Sequence, residues 1–231
     1  MTGGRPTVVL LHSPLVGPST WQPVAAVLRR HGRAVAVPDL RHVAAAEPPY
    51  WPAAVDAAVT AVGPGGSDVV LVPHSNAGLL APAVAHRLAG LGHAVRYVFV
   101  DAALPGPGPD APLAPPDLLA MLEGMADGGL LPRWTDWWDP ADVAALLPAA
   151  HLRAIVEDQP RLPLDYFRRR VLLPPGWADR PGAYLRFSSA YEEEADRADA
   201  LGWPVRHLPG GHLHAVADPD AVGRAVLDLS G

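Results

Sequence analysis

Two hydrophobic patterns alternate along this chain. Short, continuous apolar runs are followed by longer segments in which apolar residues recur at helical spacing. Continuous runs are typical of strands that are covered on both faces, and the helical spacing is typical of amphipathic helices. The predicted strands are residues 7–12 (TVVLLH), 33–38 (RAVAVP), 68–72 (DVVLV), 96–100 (RYVFV), 183–187 (AYLRF) and 205–208 (VRHL). The predicted helices are residues 21–31, 52–62, 76–88, 192–201 and 220–229.

This alternation predicts an α/β fold with a mostly parallel, doubly wound sheet and helices on both faces. The pattern stops between the predicted strands near 96–100 and 183–187. Residues 105–181 are rich in proline and tryptophan, show no clear strand and are too numerous for an ordinary loop. They predict an inserted helical lobe, with a flexible entrance at 105–116 (PGPGPDAPLAPP). The predicted division is a core of residues 1–104 and 182–231 and an insertion of residues 105–181.

The composition excludes several classes of function. The chain has 231 residues, 49% of them hydrophobic, and a net charge of −6. The run at 168–170 (RRR) is the one basic block, so we expect no nucleic-acid partner. The absence of cysteine excludes disulfides and thiolate chemistry, and the absence of lysine excludes a Schiff base. All 18 basic side chains are arginine, a bias typical of a GC-rich bacterial genome.

The beginning of the sequence, MTGGRPTVVLLH, lacks the charged and apolar regions of a signal peptide. No apolar run is long enough to span a bilayer. We therefore expect a cytoplasmic protein that has no membrane partner, acts on a small-molecule substrate and is a monomer or a homodimer.

The segment 72–80 (VPHSNAGLL) places Ser75 between a predicted strand and a predicted helix. Sites in parallel sheets lie at the carboxyl ends of the strands. A serine on such a turn projects its hydroxyl from the sheet, and the next helix directs N–H groups toward a developing oxyanion. Ser75 is therefore a candidate nucleophile, and the alternative is a serine that caps the helix.

The segment 208–219 (LPGGHLHAVADP) supplies a candidate base. A Gly-Gly turn after the last predicted strand presents His212 at the same edge of the sheet as Ser75. His214 competes for this role, but His212 is favoured because it directly follows the glycines. A metal on this histidine pair is disfavoured because no third ligand follows at a recognisable spacing. His12 and His74 flank the site and are predicted to be structural.

Five segments together resemble the α/β-hydrolase superfamily over nearly the whole chain. They are the turn at His12-Ser13, PDLR at 38–41, PHSNA at 73–77, VFVDAALP at 98–105 and GGHLH at 210–214. Within the superfamily, the chain is most similar to the small plant-esterase and hydroxynitrile-lyase branch and its bacterial relatives. The resemblance implies a Ser–acid–His triad, a lid built from the insertion, and no metal or organic cofactor.

The sequence departs from the family pattern at two places. The family motif at the nucleophile is G-x-S-x-G, whereas Pro73 and Ala77 occupy its glycine positions here. In relatives the oxyanion hole uses the N–H after the nucleophile, which maps to Asn76, and an N–H after strand one, which maps to Pro14. Proline has no N–H, and losing one such donor costs about 10²–10³ in rate. The Leu15 N–H and the Ser13 hydroxyl are the candidate substitutes.

The resemblance leaves two candidates for the acid of the triad. Most relatives place it after the penultimate strand, where Glu192 is the nearest carboxylate, but residues 192–194 (EEE) could equally form the acidic first turn of a helix. Other relatives place it at the end of the strand that here precedes Asp101, which we favour. The predicted function is a serine hydrolase that cleaves an ester, thioester or lactone of a small apolar substrate. The alternatives are a lyase or biosynthetic tailoring enzyme with an altered oxyanion hole, and a ligand-binding pseudo-hydrolase.

Overall fold

The computed structural model describes residues 5–231. Residues 1–4 lie outside the described part. They include the start of the predicted core and of the segment that was expected to lack a signal peptide. The strands are β1 (Thr7–Leu11), β2 (Val35–Ala36), β3 (Val69–Ser75), β4 (Val95–Tyr97), β5 (Phe99–Ala102), β6 (Asp110–Pro112), β7 (Arg170–Leu172), β8 (Tyr184–Arg186) and β9 (Val205–His207).

A parallel sheet forms the centre of the described chain. Its strand order is β2-β1-β3-β5-β8-β9, and β4 pairs with the first half of β3. Every pairing in this sheet is parallel, which confirms the fold class expected from the alternating pattern. The strand predicted at 96–100 is two strands, β4 and β5, that pair with successive halves of β3. The register shifts between His74, which pairs with Val100, and Ser75, which pairs with Ala102, so Asp101 has no partner in β3.

Helices cover both faces of the sheet. They are α1 (Gln22–Arg30), α2 (Trp51–Val62), α3 (Ala77–Gly90), α4 (Pro116–Met125), α5 (Pro140–Leu146), α6 (Ala149–Glu157), α7 (Leu164–Phe167), α8 (Glu192–Ala200), α9 (His214–Ala217) and α10 (Pro219–Leu229). Alternate residues of β1 point to opposite faces. Val8 and Leu10 belong to one buried cluster, with side chains of α1 and α10, while Val9 and Leu11 belong to the other, with α2 and α3. The five helices predicted in the core are confirmed to within two residues at each end.

The insertion contains α4 to α7 and a short antiparallel ribbon of β6 and β7. The expectation that residues 105–181 hold no strand was therefore wrong, and β6 lies within the segment 105–116 that was predicted to be a flexible entrance. Arg170 pairs with Asp110 across the ribbon at 2.7 Å. Buried Leu113 and Tyr166 of the insertion share one apolar cluster with Leu71 of the sheet. Within the described residues, no helix has both the length and the apolar character needed to cross a membrane.

Candidate active site

Ser75 is the last residue of β3 and has a φ angle of 58°. Residues other than glycine rarely adopt this left-handed region, and a sharp turn between a strand and a helix is one setting that requires it. The turn is tight because α3 starts two residues later: a Cβ atom on Gly78 would lie 1.9 Å from the Ala103 carbonyl oxygen. The N-cap residue of α3 is Asn76, and no side chain caps the helix. The interpretation of Ser75 as a helix cap is therefore wrong, because the Ser75 hydroxyl makes no hydrogen bond to the first turn of α3.

Buried Asp101 and half-buried His212 form a pair at the same edge of the sheet. The Asp101 side chain is 0% exposed, and its Oδ2 accepts a hydrogen bond from His212 Nδ1 at 2.8 Å. The backbone N–H groups of Phe187 and Ser188 donate to Oδ1 at 2.8 and 3.1 Å, and the Ser188 hydroxyl donates to Oδ2 at 3.1 Å. Burial opposes ionisation, but the hydrogen bond from His212 and the backbone donors hold the pKa of Asp101 below its usual range. An ionised carboxylate of this kind fixes the imidazole and leaves Nε2 free for proton transfer.

The structure does not bring the competing residues to this pair. Glu192 begins α8, its side chain is 61% exposed, and it pairs with Arg186 at 3.3 Å. It therefore fits the acidic first turn of a helix. His214 begins α9 and its ring packs edge-on against Phe187, with the ring centroids 5.4 Å apart.

Two aromatic rings lie nearly parallel to the imidazole of His212. The ring centroids of His74 and His212 are 4.4 Å apart, and His74 Nε2 donates to the His212 carbonyl oxygen at 2.9 Å. Burial, together with the neighbouring His212, lowers the pKa of His74 to about 3, so this ring is neutral. The ring centroids of Tyr191 and His212 are 5.2 Å apart, and the Tyr191 hydroxyl is 3.4 Å from Ser75 Oγ. Sequence reasoning missed Tyr191, although it directly follows the loop after the penultimate predicted strand.

The turn after β1 lies beside Ser75. His12 Nδ1 donates to the Ser13 carbonyl oxygen at 2.8 Å, and the Leu40 N–H donates to His12 Nε2 at 3.0 Å. Burial lowers the pKa of His12 to about 4, so its ring stays neutral and braces the turn. The Leu15 N–H donates to the Ser13 hydroxyl oxygen at 3.3 Å. This leaves the hydroxyl proton of Ser13 free to donate elsewhere.

A recess large enough for one oxygen atom adjoins the nucleophile. Its volume is about 10 Å³, and Ser13, Leu15, Ser75 and His212 contribute to its lining. The Asn76 N–H makes no hydrogen bond within the described part of the chain. The Asn76 side chain is tied to the insertion, because Nδ2 donates to the Leu113 carbonyl oxygen at 2.8 Å and the Tyr166 hydroxyl donates to Oδ1 at 2.7 Å.

A cavity of about 660 Å³ opens above Ser75, between the sheet and the insertion. Its apolar wall includes Leu113, Met121, Trp134, Trp137, Trp138 and Phe167. Asp142 and Glu194 also line it. Across residues 5–231, no three histidine, aspartate or glutamate side chains cluster in a way that could hold a metal ion. The cavity is therefore a mainly apolar chamber lined by Ser75 and His212, and the Asp101 carboxylate is bonded to the His212 imidazole from outside that lining.

No protein-family model and no curated protein matches the sequence. Solved structures match the fold over nearly the whole chain. An extracellular α/β-hydrolase from a Paenibacillus species, described as sharing structural and functional homology with tobacco salicylic acid binding protein 2, has a TM-score of 0.74 at 18% identity; the match covers 97% of this chain and 98% of that one. A variant of tomato methylketone synthase I in complex with β-ketoheptanoate has a TM-score of 0.74 at 16% identity, with 98% of each chain covered. Polyneuridine aldehyde esterase has a TM-score of 0.71 at 16% identity, covering 98% of this chain and 100% of that one.

These likenesses and the sheet topology define the class: the chain has the α/β-hydrolase fold. The resemblance drawn from the sequence is confirmed at the level of the fold. At identities of 16–18%, the reaction must be argued from the residues of the site.

Proposed function

We propose that this protein is a serine hydrolase that cleaves an ester, thioester or lactone of a small apolar substrate. The observation that carries the proposal is the 2.8 Å contact between His212 Nδ1 and Asp101 Oδ2, next to a serine held at a φ angle of 58°. A nucleophile, a base and a group that orients the base are the three parts that acyl transfer requires. The apolar cavity above them supports a small, uncharged substrate.

Each residue has a defined role in the proposed reaction. Ser75 Oγ bonds to the carbonyl carbon while its proton passes to His212 Nε2, and Asp101 stabilises the resulting imidazolium. The carbonyl oxygen takes the negative charge and is stabilised by hydrogen-bond donors near Ser75. His212 then protonates the leaving oxygen or sulfur as its bond to the acyl carbon breaks. Water attacks the acyl-enzyme by the reverse sequence and returns the proton to Ser75.

Two donors support the oxyanion in this proposal. The Asn76 N–H is unoccupied among the described residues, and the Ser13 hydroxyl replaces the N–H that Pro14 lacks. Of the two substitutes considered, Ser13 is favoured over Leu15 because the Leu15 N–H already donates to the Ser13 oxygen.

The test combines covalent labelling with turnover. A fluorophosphonate probe should label the unsubstituted protein at Ser75, as mapped by peptide mass spectrometry, and p-nitrophenyl esters should be hydrolysed. Ser75→Ala should abolish both signals, whereas Ser189→Ala, which removes the hydroxyl of an exposed serine nearby, should leave both intact. Absence of labelling at Ser75 together with intact esters would refute the proposal.

One observation favours a second candidate. Because Pro14 lacks an N–H, the turn after β1 offers one backbone donor fewer than the family pattern. Such a site suits lyase or tailoring chemistry in which His212 moves a proton and no full oxyanion forms. Efficient, Ser75-dependent turnover of simple esters would exclude this alternative. A pseudo-hydrolase, in contrast, would retain ligand affinity in Ser75→Ala and show no turnover of any kind.

A further inference from the structure

We propose that Tyr191 is a further catalytic residue, whose hydroxyl donates a hydrogen bond to Ser75 Oγ and stabilises the charge on that oxygen during attack and departure. The inference rests on the proposed serine hydrolase function. In the proposed reaction, Tyr191 is a second hydrogen-bond partner of the reacting oxygen, in addition to His212.

The first support is the position of the Tyr191 hydroxyl. It lies 3.4 Å from Ser75 Oγ, and neither oxygen has another hydrogen-bond partner within residues 5–231. In a protein without substrate, catalytic hydrogen bonds are often long and shorten only when substrate is bound. Tyr191 also lines the 660 Å³ cavity together with Ser75 and His212. The hydroxyl is therefore directed at the reacting atom from inside the substrate chamber.

The second support is how firmly Tyr191 is held. Its ring is inclined by only 15° to the imidazole of His212, with the centroids 5.2 Å apart. Three residues before it, the Ser188 N–H and hydroxyl both donate to Asp101. The loop that fixes the acid therefore also fixes the tyrosine, and α8 begins immediately after it. A donor that is held before substrate binds costs little reorganisation in the transition state.

The third support is the protonation state of Tyr191. Burial raises the pKa of this phenol to about 12, so the hydroxyl keeps its proton at neutral pH and acts as a donor. No proton is lost from Tyr191 in the reaction. The Ser75 proton moves to His212 as the Oγ–carbon bond forms and passes from there to the leaving group. In hydrolysis of the acyl-enzyme, His212 takes a proton from the attacking water and gives it to Oγ as the Oγ–carbon bond breaks. Oγ carries partial negative charge in both transition states, and the Tyr191 O–H dipole stabilises it in both.

Tyr191→Phe tests this role because it keeps the stacked ring and removes only the hydroxyl. A hydrogen bond to a charged group is worth enough that we expect kcat to fall by about 10- to 100-fold with KM little changed. Both the burst phase (acylation) and the steady-state phase (deacylation) of p-nitrophenyl ester hydrolysis should slow. Tyr97→Phe is the matched control, because it removes a buried hydroxyl on β4, outside the cavity, and should leave both phases unchanged.

A second variant covers the case in which Tyr191→Phe fails to fold. Replacing Tyr191 by 3,5-difluorotyrosine keeps the shape but makes the phenol more acidic. The donor should then be lost on ionisation, and activity should fall at a lower pH than in the unsubstituted protein. An unchanged alkaline limb of the pH profile would contradict the inference.

The outcomes separate this inference from the proposed function. If the unsubstituted protein labels at Ser75 and hydrolyses esters while Tyr191→Phe stays within twofold of it, only the role of Tyr191 is refuted. If Tyr191→Phe is faster, the contact restrains Ser75 in the resting state and the inference is also wrong. If the unsubstituted protein neither labels nor hydrolyses esters, the proposed function fails and the role of Tyr191 fails with it.

Discussion

Ser75 and Asp101 share an unusual backbone conformation, with φ angles of 58° and 42°. Such residues cost about 1–3 kcal/mol each and persist only where the surroundings determine them. Here Ser75 pairs with Ala102 where the register between β3 and β5 shifts past Asp101, and Asp101 is fixed by donors from Phe187 and Ser188. Both unusual conformations therefore lie at the candidate active site, where Asp101 bonds to His212 and Ser75 lines the cavity.

The two candidate acids can be separated by single substitutions. Asp101→Asn removes the charge that orients His212 and stabilises its protonated form, so kcat/KM for a p-nitrophenyl ester should fall by about 10³–10⁴-fold. Glu192→Gln is the matched control, because its exposed carboxylate contacts Arg186 instead of the imidazole, and it should stay within about twofold. The reverse ranking of the two variants would show that Glu192 is the acid.

The buried, neutral histidines predict how stability depends on pH. Burial lowers the pKa of His12 to about 4 and that of His74 to about 3, both from 6.5. Below about pH 6.5 the unfolded chain therefore binds more protons than the folded chain, and the free energy of unfolding falls as the pH falls. The free energy of unfolding changes by up to about 1.4 kcal/mol per pH unit for each histidine. Urea unfolding should therefore give a free energy of unfolding that is about 2–4 kcal/mol lower at pH 5 than at pH 7.

Nuclear magnetic resonance provides a direct check of the same prediction. The ring protons of His12 and His74 should not titrate between pH 7 and pH 5. Two rings that titrate near pH 6.5, or a free energy of unfolding that is flat over this range, would contradict the assignment of both rings as buried and neutral.

At the scale of elements, the site depends on how closely α3 approaches β5. Gly78 of α3 has no room for a side chain, because a Cβ atom would lie 1.9 Å from the Ala103 backbone oxygen. Gly78→Ala should therefore push α3 from the sheet, reduce stability by about 1–3 kcal/mol and lower kcat through the displaced turn at Ser75. Gly90→Ala in the same helix meets nothing within 4 Å and should be neutral or stabilising by about 0.5–1 kcal/mol. Thermal unfolding and ester turnover of the two variants measure the contrast, and equal effects would refute it.

Elements with a strong local pattern could be predicted from the sequence, and elements that depend on distant partners could not. The helix from 52 to 62 has apolar residues at helical spacing and the strand from 7 to 12 has a continuous apolar run, and both are present with nearly those bounds. The three residues of β6 read as a proline-rich loop, and only pairing with β7, which begins at Arg170, makes them a strand. Likewise, the contact between Tyr191 and Ser75 spans 116 residues, and no local pattern predicts it.

At the scale of the whole molecule, the core and the insertion together line one cavity, and the charge of its walls predicts which substrates the proposed hydrolase would accept. The walls are mainly apolar, and Asp142 and Glu194 contribute carboxylates. None of the described residues that line the cavity is an arginine; Arg197 pairs with Glu194 at 3.2 Å from outside the lining. Burial raises the pKa of Glu194, which reflects a poorly hydrated surrounding. A substrate that carries a carboxylate would lose hydration and be repelled by both acids.

We therefore expect the chamber to discriminate between two esters of equal length. kcat/KM for p-nitrophenyl pentanoate should exceed that for the p-nitrophenyl half-ester of glutaric acid by about tenfold or more, since desolvation and like-charge repulsion both act against the second ester. The double variant Asp142→Asn with Glu194→Gln should recover part of the activity on the half-ester, whereas Asp136→Asn, an exposed carboxylate of the insertion outside the lining, should not. Equal turnover of the two esters by the unsubstituted protein would show that substrate charge is not read in this chamber. A penalty on the half-ester that persists undiminished in the double variant would instead assign the discrimination to the apolar wall alone.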